Sequence, residues 1–230
     1  MPHYLVVDCE TSHLFSYDMP ADAPGQPRLA QIGLIHVNSS FEIEAEQEFL
    51  IRPEGWEMSA EATEKTGLTT EYLKEHGVPI IGALGLYEAG IVARRVIVGF
   101  NVQFDLKQMR AEMRRGGMED RYLQTRNLCM MWATRSIVGA TDARGKVKIP
   151  SLQEACAFFG IEQPKAHSAL ADAHSAYQLM LKLVERGALP EPKSPYDRPK
   201  KKPNAAKAPK VGLPGDDPEL DDDAQAEIPV

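Results

Sequence analysis

YLVVDCET, residues 4–11, decides how the rest of the chain is read. Its first five residues, YLVVD, form a short continuous apolar run, the pattern of a strand buried on both faces. Asp8-Cys9-Glu10 then ends the strand with two carboxylates two positions apart. Side chains at that spacing share one face of a strand, so both point to one place at its C-terminal end. Open α/β sheets place their ligands at that rim. Buried carboxylates are costly unless something positive meets them.

Outward from this strand, residues 11–28 carry Pro20, Pro24, Gly25 and Pro27 and read as a long loop. LAQIGLIHV (29–37) and FEIEAEQEFLI (41–51) read as two further strands, the second with the period-two alternation of an edge or half-exposed strand. A helical stretch follows, with Ser59 and Thr69 as N-caps, Gly77 and Pro79 as a stop, and another helix over 80–93. RVIVG (95–99) is a fourth strand, VQFDLKQMRAEMRR (102–115) a helix ended by Gly116-Gly117, and a fifth strand falls near 122–128. The basic segment 134–149 reads as a loop or small hairpin. Ser151 and Glu154 form a capping box for a helix closed by Gly160, and a last helix spans about 168–186. The pattern predicts an α/β fold.

The bulk properties narrow the class. The 230 residues are 43% hydrophobic and 26% charged, the balance of a globular protein. No apolar stretch approaches the roughly 20 residues of a membrane span, and no signal peptide is evident. Cys9, Cys129 and Cys156 form no zinc pattern and read as reduced thiols, so a cytoplasmic location is expected. Residues 190–230 hold 7 basic and 9 acidic residues, leaving 19 basic and 24 acidic for residues 1–189. This acidic body excludes a basic clamp that grips nucleic acid by bulk charge. Any phosphate it handles must be gathered by local cations, for which bound metals are natural candidates.

Two further carboxylates join Asp8 and Glu10. Asp105 lies in the first turn of the helix after the fourth strand, with Asn101 placed as its N-cap. Capping and the helix dipole account for both residues taken alone. Asp105 also borders the apolar stripe of Val102, Leu106, Met109 and Met113. In the last helix Asp172 lies on the line of Ala169, Ala176, Leu179 and Leu183, facing the core, where a metal or catalytic use outweighs a structural one. His167 stands five residues upstream, just before that helix. Hard divalent cations take oxygen ligands of this kind and drive phosphoryl chemistry.

Taken together, DCET (8–11), NVQFD (101–105) and HSALAD (167–172) resemble the motifs of the DEDD superfamily of 3′→5′ exonucleases, over residues 4–186. ATEKTGLT (62–69) is similar to a connecting segment of these enzymes. Ser168 stands where one branch has a tyrosine, so the resemblance is to the histidine (DEDDh, DnaQ-like) branch. Two positions depart from the family: Ser12-His13-Leu14 replaces an early glycine, and Phe100 replaces a histidine before the second motif. Leu14 is open to two readings, a wedge against the terminal base or an anchor for the loop.

The resemblance implies an RNase H-like fold with a five-stranded mixed sheet flanked by helices, forming an exonuclease domain over 1–189. It implies two divalent ions, Mg²⁺ or Mn²⁺. Asp8, Glu10 and Asp172 would hold one, with Asp8 and Asp105 serving the second. His167 would deprotonate the attacking water, and Thr11 and Asn101 would place the terminal nucleotide. The expected activity is release of nucleoside monophosphates from single-stranded 3′ ends, with DNA favoured over RNA. An exoribonuclease acting on short RNA is the rival within the enzyme class, and a non-catalytic module that binds a replication partner is the rival outside it.

Residues 190–230 contain nine of the chain's 17 prolines and read as a disordered tail, basic then acidic. The acidic end, GDDPELDDDAQAEIPV, loosely resembles the C-terminal peptide of bacterial single-stranded-DNA-binding proteins. A solvated acidic tail is the plainer reading of such a charge run; the resemblance implies docking on a replication protein or folding back over the basic part of the tail, and no membrane partner is expected.

Overall fold

The computed structural model describes residues 2–163 and 168–195. Its five strands are β1 (Tyr4–Thr11), β2 (Leu29–Val37), β3 (Ile43–Leu50), β4 (Val96–Gly99) and β5 (Arg126–Cys129). They form one sheet in the order β3-β2-β1-β4-β5. β1 is antiparallel to β2, and β2 to β3, while β1, β4 and β5 run parallel. The sheet is therefore mixed, as expected. β1 lies at its centre and is buried along nearly its whole length, which accounts for the continuous apolar run of YLVVD.

Seven helices are described: α1 (Ala60–Thr66), α2 (Thr70–His76), α3 (Ile81–Val92), α4 (Val102–Arg115), α5 (Met130–Val138), α6 (Leu152–Phe159) and α7 (Ala169–Glu185). Ser59 and Thr69 cap α1 and α2 by accepting from the N–H groups of Ala62 and Tyr72. Ser151 and Glu154 form the predicted capping box of α6. One prediction is corrected. Residues 134–138, read as the start of a loop or hairpin, instead belong to α5, because Met130, Met131 and Thr134 recur on one buried face and Gly139 closes the helix in the left-handed conformation. The hairpin is confined to the residues beyond, where Thr141 bridges Val147.

Two apolar layers sandwich the sheet. On one face Tyr4 and Val6 of β1 and Ile35 and Val37 of β2 pack with Ala173, Ala176, Leu179, Met180 and Leu183 of α7, and with α5 and α6. On the other, Leu5, Val7 and Cys9 of β1 meet α3 and the Val102, Leu106, Met109 and Met113 stripe of α4. Burying each such large apolar side chain contributes about 1.5–3 kcal/mol. The alternation fixes the direction of the rim residues. Asp8 and Glu10 follow Tyr4 and Val6 toward the α7 face, whereas Cys9 turns toward α4.

The α7 face can come close because β2 has no side chain at Gly33. A Cβ there would lie 2.5 Å from the Cα of Leu170. Beyond position 190 the chain is still tied to the sheet. Lys193 exchanges both backbone hydrogen bonds with Asn127 of β5, at 2.8 and 2.9 Å. Among the described residues no helix is long and apolar enough to cross a membrane.

Candidate active site

β1 and α7 build the site between them. Asp8 and Glu10 occupy the C-terminal end of the central strand, and Asp172 sits in the first turn of α7, brought over β1 by the packing across Gly33. The three carboxylates each offer an oxygen, and these oxygens all lie within 4.8 Å of one another. Asp8 pairs in register with Gly33 and Glu10 with Gln31, so the sheet's own ladder aligns the cluster with the β2 residues under α7.

Like charges this close in a partly desolvated place resist ionisation. Burial is the main cause that raises the Asp8 carboxyl well above the usual carboxylate range, and the negative charges of Asp105, Asp172 and Glu10 add to it. Glu10 is pushed up to about 7, first by burial and then by Asp172. Among the described residues, the charges that shift these two groups are all negative. Oxygens around a Mg²⁺-sized ion at about 2.1 Å would stand ~3–4 Å apart, so small side-chain adjustments would bring three of them onto one cation. The donor set is all oxygen, which suits a hard divalent ion. The residues fit such a metal.

Asp105 approaches from the opposite side of β1. It is buried, and Cys9, on the α4 face, hydrogen-bonds to it through its thiol and its backbone N–H. Burial raises the Asp105 carboxyl well above its ordinary range, and these bonds oppose that rise. Burial likewise raises the Cys9 thiol, with Asp105 and Asp8 adding to the effect. Asp105 thus adjoins Asp8 without belonging to the three-carboxylate group. Its burial goes beyond what a solvent-facing first-turn acid would require.

The other expected residues are placed as follows. Asn101 precedes α4, but its side chain makes no capping hydrogen bond, which corrects the capping assignment. Its backbone is left-handed, at φ +68°, an uncommon conformation that asparagine tolerates better than most residues. Thr11 is buried at the bulge that ends β1, and its hydroxyl donates to the carbonyl of His13 at 2.8 Å. Leu14 is 53% exposed, whereas Phe15 beside it is buried against Phe104, so Phe15 anchors the loop. His167 lies outside the described residues, as does the chain beyond 195.

Two contributors went unnoticed in the sequence. Cys9 stands between the two acids and bonds the third, and its only signal was its position. Gln31 is a polar residue in a mostly apolar strand; it is buried, and its side-chain oxygen accepts from the N–H of Ala169 at 3.1 Å.

The family model described as exonuclease matches residues 5–180, most of the chain. The chain belongs to this exonuclease family. Solved structures agree on the fold. E. coli exonuclease I in complex with a dT13 oligonucleotide superposes with a TM-score of 0.67 at 21% identity, covering 80% of this chain and 41% of that one. The same enzyme with a dA16 oligonucleotide gives 0.66 at 19% identity, again over 80% and 41%. A product-bound exonuclease I gives 0.67 at 18% identity, over 82% and 45%. The chain thus spans less than half the length of these exonuclease I chains. The comparison with curated proteins gives no match. The exonuclease domain has the RNase H-like fold of the DnaQ-like enzymes, and its family consists of metal-dependent phosphodiester hydrolases.

Proposed function

We propose that the protein is a 3′→5′ exonuclease that releases nucleoside monophosphates from single-stranded DNA ends, using two divalent ions, Mg²⁺ or Mn²⁺. The observation that carries this reading is the Asp8, Glu10 and Asp172 cluster at the C-terminal rim of β1 in a member of an exonuclease family. Asp8, Glu10 and Asp172 would hold one ion, and Asp105, beside Asp8, would serve the second together with it. Divalent cations held there would supply acidity to the attacking water and positive charge against the phosphate oxygens and the leaving 3′-oxygen.

The remaining work falls to side chains of this chain. His167 accepts the proton of the attacking water, a role suited to an imidazole that titrates near neutrality. The water oxygen bonds to phosphorus as the bond from phosphorus to the 3′-oxygen of the preceding nucleotide breaks. Asn101 and Thr11 place the terminal nucleotide. Freedom from a capping bond leaves the Asn101 amide available for this. DNA is favoured because the similar E. coli enzyme is seen with dT13 and dA16 oligonucleotides.

Residues 1–189 form the exonuclease domain in this reading, and the acidic end of 190–230 docks on a replication protein. The test incubates the protein with 5′-labelled single-stranded DNA and RNA of equal sequence, with Mg²⁺, Mn²⁺ or chelator. Metal-dependent shortening from the 3′ end, faster on DNA, is expected. No shortening of either polymer would refute the nuclease reading, and faster loss of RNA would refute the substrate choice. Truncation after residue 210 that leaves binding to a replication protein unchanged would refute the role of the tail.

A further inference from the structure

We infer that Gln31 is a positioning residue for the proposed reaction: its buried side chain on β2 fixes the first turn of α7 so that Asp172 meets Asp8 and Glu10. The inference rests on the metal-site reading given above and deepens it.

The first N–H groups of any α-helix have no partner within the helix and must be satisfied from outside. In α7 the N–H groups of the first three helical residues are accounted for. Ala169 donates to Oε1 of Gln31 at 3.1 Å, and Leu170 donates to Oε1 of Glu48 at 3.2 Å. Ala171 donates to Oγ of Ser168 at 3.2 Å, and the Asp172 N–H begins the helix's own ladder by donating to the carbonyl of Ser168 at 3.0 Å. Two of the three outside acceptors are thus side chains of the sheet rather than the local cap. A helix capped only by its own residues is held on the sheet by side-chain packing alone. One bonded to β2 and β3 is held in register with them.

That register is the one the site needs. Gln31 pairs with Glu10 across the β1–β2 ladder, and Gly33 pairs with Asp8. On its other side Gly33 pairs with Glu48 of β3. One transverse row therefore runs from a rim acid, through the glycine that admits α7, to a residue that caps α7. The neighbouring row runs from Glu10 to the glutamine that caps it. Gly33 sets how closely the helix approaches, since a Cβ would meet backbone atoms of Ala169 and Leu170 at 2.5–2.6 Å. Gln31 sets where along the strand it rests. It is only 5% exposed, so its hydrogen bond is shielded from water and its loss would strand the Ala169 N–H. Asp172 is three residues beyond Ala169, in the same turn, and moves with it.

The test measures Mn²⁺ affinity by titration calorimetry, with kcat and KM on a labelled single strand in parallel. Gln31→Leu keeps the volume and removes the acceptor. It is expected to weaken Mn²⁺ binding about tenfold, the usual scale for partners that orient metal ligands, and to lower kcat with KM nearly unchanged. Gln31→Glu retains an acceptor oxygen at the same place and is expected to restore binding to within about threefold of wild type. Glu48 is exposed on the edge strand, so Glu48→Ala retains the fold; a loss of about two- to threefold is expected there.

Wild-type Mn²⁺ affinity in folded Gln31→Leu, or equal weakening by Gln31→Glu and Gln31→Leu, would overturn the inference. Should Gln31→Leu fail to fold, undiminished affinity in Glu48→Ala would overturn it instead. A wild-type protein that binds Mn²⁺ yet shortens no strand would refute the nuclease reading alone, because the affinity series judges Gln31 separately.

Discussion

Two groups of acidic side chains in this protein are treated in opposite ways. Along α4, Glu112 is almost wholly buried, yet Arg28 and Arg115 each reach its Oε1 at 3.0 Å, and the Leu29 N–H and Gln108 amide also donate to it. Nearby, Asp120 accepts from Arg110 and Arg114. Burial would raise the Asp120 carboxyl, but these guanidiniums and the Tyr122 N–H outweigh it and hold it below the usual range. At the rim of β1 burial raises the proton affinity of the same chemical group, and neighbouring carboxylates add to the rise. The difference separates purposes. The Glu112 cluster fastens the 12–28 loop to α4, since Arg115 also donates to the carbonyls of Ala21 and Pro27, and Asp120 fastens the segment after α4 to the helix's own arginines. The rim acids leave a site for positive charge from outside.

The largest break in this contrast should come from Asp8→Ala. If metal binding at the rim drives the reaction, activity falls about 10³-fold or more, while circular dichroism shows the fold intact. Retained activity would remove Asp8 from the mechanism. Glu112→Ala should do the reverse, sparing the site's chemistry and damaging the fold. Two partly buried guanidiniums would lose their counter-charge, at a cost of about 3–5 kcal/mol, measurable by urea denaturation. Loss of less than about 1 kcal/mol would place this cluster among ordinary surface pairs.

A third, smaller effect concerns pH. Glu10 titrates at about 7 in the folded protein against 4.5 ordinarily, and Asp8 and Asp105 are raised as well. Between these values the folded state holds more protons than the unfolded one, so stability falls as pH rises. It is fully present below about 4.5 and lost through pH 7 and above, by something on the order of 2 kcal/mol. Denaturation of the metal-free protein at pH 5 and pH 8 checks the sign; equal stability would mean that burial and the neighbouring charges do not raise the proton affinity of the rim acids.

Much of this was legible in the sequence because burial writes a strong signal. The central strand showed as YLVVD, and the core face of α7 as a line of alanines and leucines at helical spacing. Asp172 stood out on that line as a misplaced charge, and the structure brings it to Asp8 and Glu10. The helix α5 was hidden because its buried face is short and Arg135 joins it to a basic segment beyond. Asn101 was misread as a cap because residue type alone does not reveal a left-handed backbone. Gln31 escaped because its role depends on which strand lies beneath α7, a tertiary fact that no local pattern encodes.

The contrast between the two acidic groups is tested most directly by thermal denaturation of wild type and Asp8→Asn at pH 8, with and without Mn²⁺. The account predicts that without metal the variant melts above wild type, because one repelling charge is gone. Added Mn²⁺ should raise the wild-type Tm and leave the variant nearly unmoved. A wild-type protein indifferent to Mn²⁺, or a variant stabilised by it to the same extent, would contradict the account.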